Sequence, residues 1–155
     1  MTTRILIAVD FGLYGRAQVE VLRQLSPESV SKITVLHVVE PLAWELQVGY
    51  PPSNEIVDSY IQEGMEAARK LVSDMVTALS EQFKEEQIEV EIRTGGPVEE
   101  ILKAAEEWQA DMIVVGSHGR RGFARLLLGS VSGAVSAHAR CSVLIARRRG
   151  AAEPS

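Results

Sequence analysis

The chain has 155 residues, 46% hydrophobic and 24% charged, with a formal net charge of −5. That is the composition of one soluble globular domain large enough to bury a sizeable core. An acidic chain without a long basic face is a poor general nucleic-acid binder. No apolar run is long enough to cross a membrane, and a single cysteine, Cys141, excludes an intrachain disulfide. With no signal-peptide pattern at the start, these features predict a cytoplasmic protein.

Ile5 to Val9 is a continuous apolar run, as expected of a strand buried on both faces. Asp10 to Gly15 reads as a loop. Ala17, Val21 and Leu25 mark one face of a first helix that Pro27 ends. Ile33 to Val39, apolar apart from Thr34 and His37, predicts a second buried strand. Glu40 to Asn54, with Pro41, Pro51 and Pro52, predicts a loop of about fifteen residues, a length typical of lids and binding segments. Trp44 and Tyr50 lie in it, and either cover a ligand or anchor the loop.

Val57, Tyr60, Ile61, Ala68, Leu71, Val72, Met75, Leu79 and Phe83 recur at helical spacing. Ile88, Val90 and Ile92 alternate with Glu89, Glu91 and Arg93, which predicts a half-exposed strand at a sheet edge. Gly95-Gly96-Pro97 starts a third helix with Glu99 and Glu100 in its first turn. Its buried face is expected to be Val98, Ile101, Leu102, Ala105 and Trp108. Met112 to Val115 reads as a fourth strand, Val131, Ala134 and Val135 as the inward face of a last helix, and Val143 to Ala146 as a fifth strand. One domain over residues 1–148 and a short flexible tail over 149–155 are predicted.

Strands alternating with helices predict an α/β fold: a doubly wound, five-stranded parallel sheet with helices on both faces. Strand order 3-2-1-4-5 puts the polar third strand at an edge. The connections after strands 1 and 4 then leave in opposite directions, and a crevice opens between the carboxyl ends of those strands. Asp10 and Gly116 arrive there independently.

The segment from Gly116 to Ser132 reads GSHGRRGFARLLLGSVS. It joins a strand to a helix N-terminus through glycines and the cationic His118, Arg120, Arg121 and Arg125, which points to an anion, phosphate above all. Gly116, Gly119 and Gly129 permit close backbone approach. The amides of Ser130, Val131 and Ser132 would face the anion, and the two serine hydroxyls could donate as well. No Gly-Lys-Ser/Thr closes the loop and no G-x-G-x-x-G follows strand 1, so neither a Walker A element nor a dinucleotide fingerprint is present. His37 reads as a structural histidine, His118 as a loop residue near phosphate, His138 as a helix-end residue and Cys141 as a packed thiol.

The pattern Gly116-x-x-Gly119-x9-Gly129-Ser130 resembles the nucleotide-binding signature of the universal stress protein family. The resemblance extends to Ile5–Asp10, His37-Val38-Val39, the turn Gly95 to Ile101 and the stretch Ala139 to Ile145. It implies an ATP-binding protein acting as a nucleotide-dependent stress-response sensor or regulator. Asp10 would sit beside ribose or adenine, and the Val38 backbone would meet the adenine edge. Gly116, Gly119 and Arg120 would approach ribose and phosphates. Gly129, Ser130, Val131 and Ser132 would hold the outer phosphates, with Mg bridging phosphate oxygens. ATP or another adenine nucleotide fits this expectation. Asp10-Phe11-Gly12 departs from the family's Asp-x-Ser, and Arg140 and Ser142 stand where proline is common.

Strand 5 is apolar on both faces yet placed at an edge, so a homodimer paired through it is expected, as the resemblance also implies. An unidentified protein partner is expected too. No catalytic set assembles from the sequence. A slow ATPase, a nucleotide-dependent transferase and a nucleotide-free interaction module are the alternatives.

Overall fold

The computed structural model describes residues 2–12, 15–41, 53–117 and 128–148. Five parallel strands, β1 (Thr3–Ala8), β2 (Val30–Val39), β3 (Ile88–Thr94), β4 (Met112–Gly116) and β5 (Ser142–Ala146), form one sheet in the order β3-β2-β1-β4-β5. Among the described residues four helices surround it: α1 (Gly15–Leu22), α2 (Asn54–Leu79), α3 (Pro97–Glu107) and α4 (Ser130–His138). The predicted fold class and strand order are both observed.

The alternation of side chains along each strand divides the core in two. Ile5, Ile7, Ile33 and Val35 face α1 and α2, meeting Val19, Leu22, Val72, Met75 and Leu79. Leu6, Leu36, Val38, Ile113 and Val115 face the other way, onto Ile101, Ala104 and Ala105 of α3 and Val135 of α4. The central strands are buried on both faces, which is why they read as unbroken apolar runs.

Three helices depart from the expected pattern. α1 stops at Leu22 instead of running to Pro27, and its buried residues are Ala17, Gln18, Val19 and Leu22. Val21 and Leu25 are only half-buried. Pro27 instead opens a 3-10 turn over Pro27–Ser29, as its fixed φ allows at a first helical position. α2 starts at Asn54, where the Ser53 side chain accepts from the Ile56 N–H. Its buried residues begin at Ala68, and Tyr60 and Ile61 are exposed. Phe83 is buried beyond the helix end. In α4 the buried residues are Ser132 and Val135, while Val131 and Ala134 are half-buried.

α3 begins as expected, with Pro97 at its start after Gly96. Gly95 has φ +151°, and its N–H donates to the Val39 carbonyl at 3.1 Å. A side chain there would be strained, so glycine sets this turn. At the other end the chain reverses through Gln109, with φ 51°. The Ala110 N–H donates back to the Ala105 carbonyl at 2.9 Å, and the Gln109 N–H to the Glu106 carbonyl at 3.1 Å. This is a Schellman closure built on glutamine in place of glycine.

β3 lies at the edge, as its alternation predicts, but its faces are covered unexpectedly. Val90, on the apolar side, is 47% exposed. Arg93, on the polar side, has a side chain only 13% exposed, because α3 covers it with Glu100, Glu107 and Trp108.

Candidate functional site

β1 leads into Asp10, at the carboxyl end of the sheet. The Gly12 N–H donates to Asp10 Oδ1 at 2.8 Å, closing an Asx turn that fixes the carboxylate. Burial pushes the Asp10 carboxyl above its usual range. The Gly12 N–H and nearby His37 pull it partly back.

The β1–β2 ladder ends beside it. The Val9 N–H donates to the Leu36 carbonyl at 2.8 Å. His37 Nδ1 lies 2.7 Å from the Val9 carbonyl. That oxygen can only accept, so Nδ1 carries the proton. The Phe11 ring meets the imidazole edge-on, with centroids 5.0 Å apart. His37 is therefore the structural histidine the sequence suggested, and it occupies the carbonyl at the strand's end. Backbone groups two residues apart in a strand point to the same side. The Val38 N–H and C=O thus face the β1 side, past the last ladder pair Ala8–Leu36. On the opposite side, the Val39 carbonyl accepts from Gly95.

Gly116 ends β4, paired with Ala146 of β5. The next residue ties the two ends of the glycine-rich segment together. The Ser117 N–H donates to Ala146 at 2.9 Å, and the Ser117 carbonyl accepts from the Gly129 N–H at 2.6 Å. Gly129 is the N-cap of α4 and supplies no side-chain cap. Among the described residues nothing accepts from the first-turn N–H groups of Ser130, Val131 and Ser132, and the positive end of the helix dipole lies behind them. The Ser132 side chain is buried, and its hydroxyl lies 3.0 Å from the Ser117 carbonyl and 3.2 Å from that of Gly129. The hydroxyl braces the turn, so Ser132 offers an anion its amide. Ser130 is exposed and offers both groups.

A further residue shapes the crevice without an obvious sequence signal. Gln18, buried on α1, donates through Nε2 to the Ala8 carbonyl at 2.7 Å and reaches the Val114 carbonyl at 3.4 Å. It links β1 and β4 where the two connections diverge. The only hint was a polar residue beside Ala17 on an otherwise apolar face. Gln18→Leu leaves buried carbonyl oxygens without this donor and should lower stability by about 1–3 kcal/mol. Urea unfolding of the two proteins checks this, and equal midpoints would contradict the role.

The structure thus gathers Asp10, Val38, Gly116, Gly129, Ser130, Val131 and Ser132 at the carboxyl ends of β1, β2 and β4. Gly119 and Arg120 lie outside the described residues, as do His118, Arg121, Arg125, Trp44, Tyr50 and the 149–155 tail. His138 sits in the last turn of α4 with Nδ1 2.9 Å from the Ala134 carbonyl. Burial raises the pKa of the Cys141 thiol, in keeping with a packed cysteine.

Known proteins share this fold. A solved structure of the protein MJ0577 superposes with a TM-score of 0.81 at 26% identity, covering 97% of this chain and 99% of that one. A universal stress protein family protein from Arabidopsis thaliana with AMP bound has a TM-score of 0.62. At 24% identity over 99% of this chain and 97% of that one, it shows the shared fold. Universal stress protein A homolog 2 of Coxiella burnetii is 33% identical over 136 residues, 87% of each chain. The model of the universal stress protein family matches residues 1–147, from the first strand through β5, and by that match the chain belongs to the universal stress protein family.

Proposed function

We propose that this chain binds an adenine nucleotide in the β1/β4 crevice and serves as a nucleotide-dependent regulator in stress responses. The observation that carries the binding is the uncapped start of α4, which Gly129 and Ser117 hold at the carboxyl end of β4. Asp10 and the outward backbone of Val38 supply polar groups for a ribose and a base edge. The AMP bound to the Arabidopsis relative supports the ligand class. Gly119 and Arg120 would complete the phosphate contacts, and a divalent cation such as Mg would come with the phosphates. The stress role rests on family membership alone.

The test is to denature freshly purified protein, identify released small molecules by mass spectrometry, and titrate emptied protein with Mg·ATP, ADP and AMP. Released adenine nucleotide, or saturable binding of any of the three, is expected. No release, no heat and no thermal shift together would overturn the reading.

Asp10 gives a prediction with opposite signs for stability and binding. Its folded pKa is raised by burial, so folding disfavours its ionised form. That penalty is absent below the unfolded pKa and complete above the folded one. Asp10→Asn keeps an oxygen for the Gly12 N–H and should raise the melting temperature of the empty protein at neutral pH, with a smaller gain in acid. It should also weaken nucleotide binding roughly tenfold, by removing a charged acceptor. Melting curves across pH and calorimetric titration read the two effects.

We also propose that two copies pair through β5. This strand ends the sheet beyond β4, and Val143, Leu144 and Ile145 are half-buried in the single chain. Sedimentation at micromolar concentration should give the dimer mass, and a monomer would contradict the pairing.

A further inference from the structure

The amino end of the sheet holds a second cavity, of about 210 Å³, on the α3 side. Its floor is one row of the sheet, in which Leu6 pairs with Thr34 and Thr34 with Glu89. Arg4 and Lys32, paired in the next row, form the rim, and Trp108 forms the wall. Strands rise about 3.3 Å per residue, so the four steps from Leu6 in the floor to Asp10 separate this cavity from the nucleotide crevice by about 13 Å.

We propose that this cavity binds a small organic carboxylate with a compact apolar body. Three features select that chemistry. First, Arg4 is exposed, and the Asp111 carboxylate beside it accepts from its backbone N–H at 2.8 Å. Arg4 Nη1 reaches the Trp108 carbonyl at 3.4 Å and Gln109 Oε1 at 3.3 Å, both neutral, and the guanidinium forms no ion pair among the described residues. The Schellman turn after α3 thereby holds the guanidinium at the rim and leaves the rest of its fork for a carboxylate. Lys32, by contrast, is already paired with Glu89.

Second, Thr34 is only 3% exposed and lines the cavity, and its hydroxyl makes no hydrogen bond among the described residues. No fully buried side-chain polar atom among the described residues lacks a partner, so this hydroxyl opens into the cavity, where a ligand can hydrogen-bond to it. Third, the indole of Trp108 is fixed by its Nε1 donating to Glu91 Oε2 at 2.8 Å. With Leu6 it gives a rigid apolar surface facing the polar rim. The volume lies below the roughly 300–1,000 Å³ of pockets for drug-sized ligands, which limits the occupant to a small metabolite.

Benzoate is a suitable probe and benzamide its neutral isostere. The readout is the indole N–H signal of Trp108 in 1H–15N spectra of the full chain, assigned with Trp44→Phe. Benzoate is expected to shift that signal saturably at millimolar concentration, with benzamide weaker by roughly tenfold. Arg4→Gln should weaken benzoate by a similar factor. Thr34→Leu, which fills the cavity, should abolish the shift while leaving Mg·ATP binding unchanged. No saturable shift with benzoate, or equal shifts from benzoate and benzamide, would overturn the proposal. Both of those outcomes are read on the protein without either cavity substitution, so they hold even if a variant fails to fold.

Discussion

Ser130→Glu is expected to abolish nucleotide binding while leaving the protein as stable as before or slightly more so. Ser130 is the first residue of α4, exposed, and follows a glycine that provides no side-chain cap. A carboxylate in the first turn meets the positive end of the helix dipole and N–H groups that have no partner among the described residues. At such positions it typically adds about 0.3–1 kcal/mol of stability. The same groups are the ones proposed to hold phosphate. A fixed negative charge there both occupies them and repels the ligand, so affinity should fall by at least about a hundredfold, roughly 3 kcal/mol. Ser130→Ala separates the hydroxyl from the amide, because it removes only the former and should cost less than about tenfold. Calorimetric titration with Mg·ATP and a melting curve on the same preparations check both signs. A glutamate variant that still binds within a few-fold of the parent would remove the α4 terminus from the site.

The legible and illegible parts of this molecule differ for a physical reason. The strand order followed from two local signals, unbroken apolar runs in β1, β2 and β4 and strict alternation in β3. Topology likewise pointed to Asp10 and the segment that leads into α4, since a ligand at the end of a parallel sheet must meet whatever follows β1 and β4, whereas Val38 came only from the family resemblance. What local pattern does not encode is which element lies over a given face. Alternation in β3 shows that one side is polar, but not that α3 brings Glu100, Glu107 and Trp108 over it, leaving Val90 more exposed than Arg93. Gln18 escaped assignment for the same reason, and His37 was legible as structural but its partner was not. Their partners, the carbonyls of Ala8, Val114 and Val9, are backbone groups that the fold alone brings within reach. The role expected of the Ser132 hydroxyl fails similarly, because its nearest acceptors belong to the turn that precedes it.

That covered polar face supports the second large prediction, in which Arg93→Leu should destabilise the fold by about 3 kcal/mol at neutral pH. Arg93 Nε donates to Glu91 at 2.6 Å and Nη1 to Glu100 at 3.4 Å, while Nη2 donates to Glu107. One guanidinium thus sits among three carboxylates, and Trp108 Nε1 satisfies the remaining oxygen of Glu91. Burial opposes the arginine charge, yet the hydrogen bonds to Glu91 and Glu107 hold its pKa above the usual value, so it stays ionised at every accessible pH. Leucine preserves apolar volume but leaves three like charges partly withdrawn from water. The loss should fall at the lower end of the range for a broken buried pair, because the Glu107 side chain is 48% exposed. The pH dependence has a definite sign. The hydrogen bond from Arg93 holds the Glu107 carboxyl below its ordinary range. A carboxyl depressed in the folded state stabilises the protein above its unfolded pKa, and the contribution disappears as pH falls through the folded value. The gap between parent and variant should therefore be widest near neutrality and close in acid, as the carboxylates lose the charge that needed the arginine. Urea unfolding of both proteins at pH 7 and at about pH 3.5 tests this. A gap that stays constant with pH would mean Arg93 acts through the packing of its methylene stem and not through its charge.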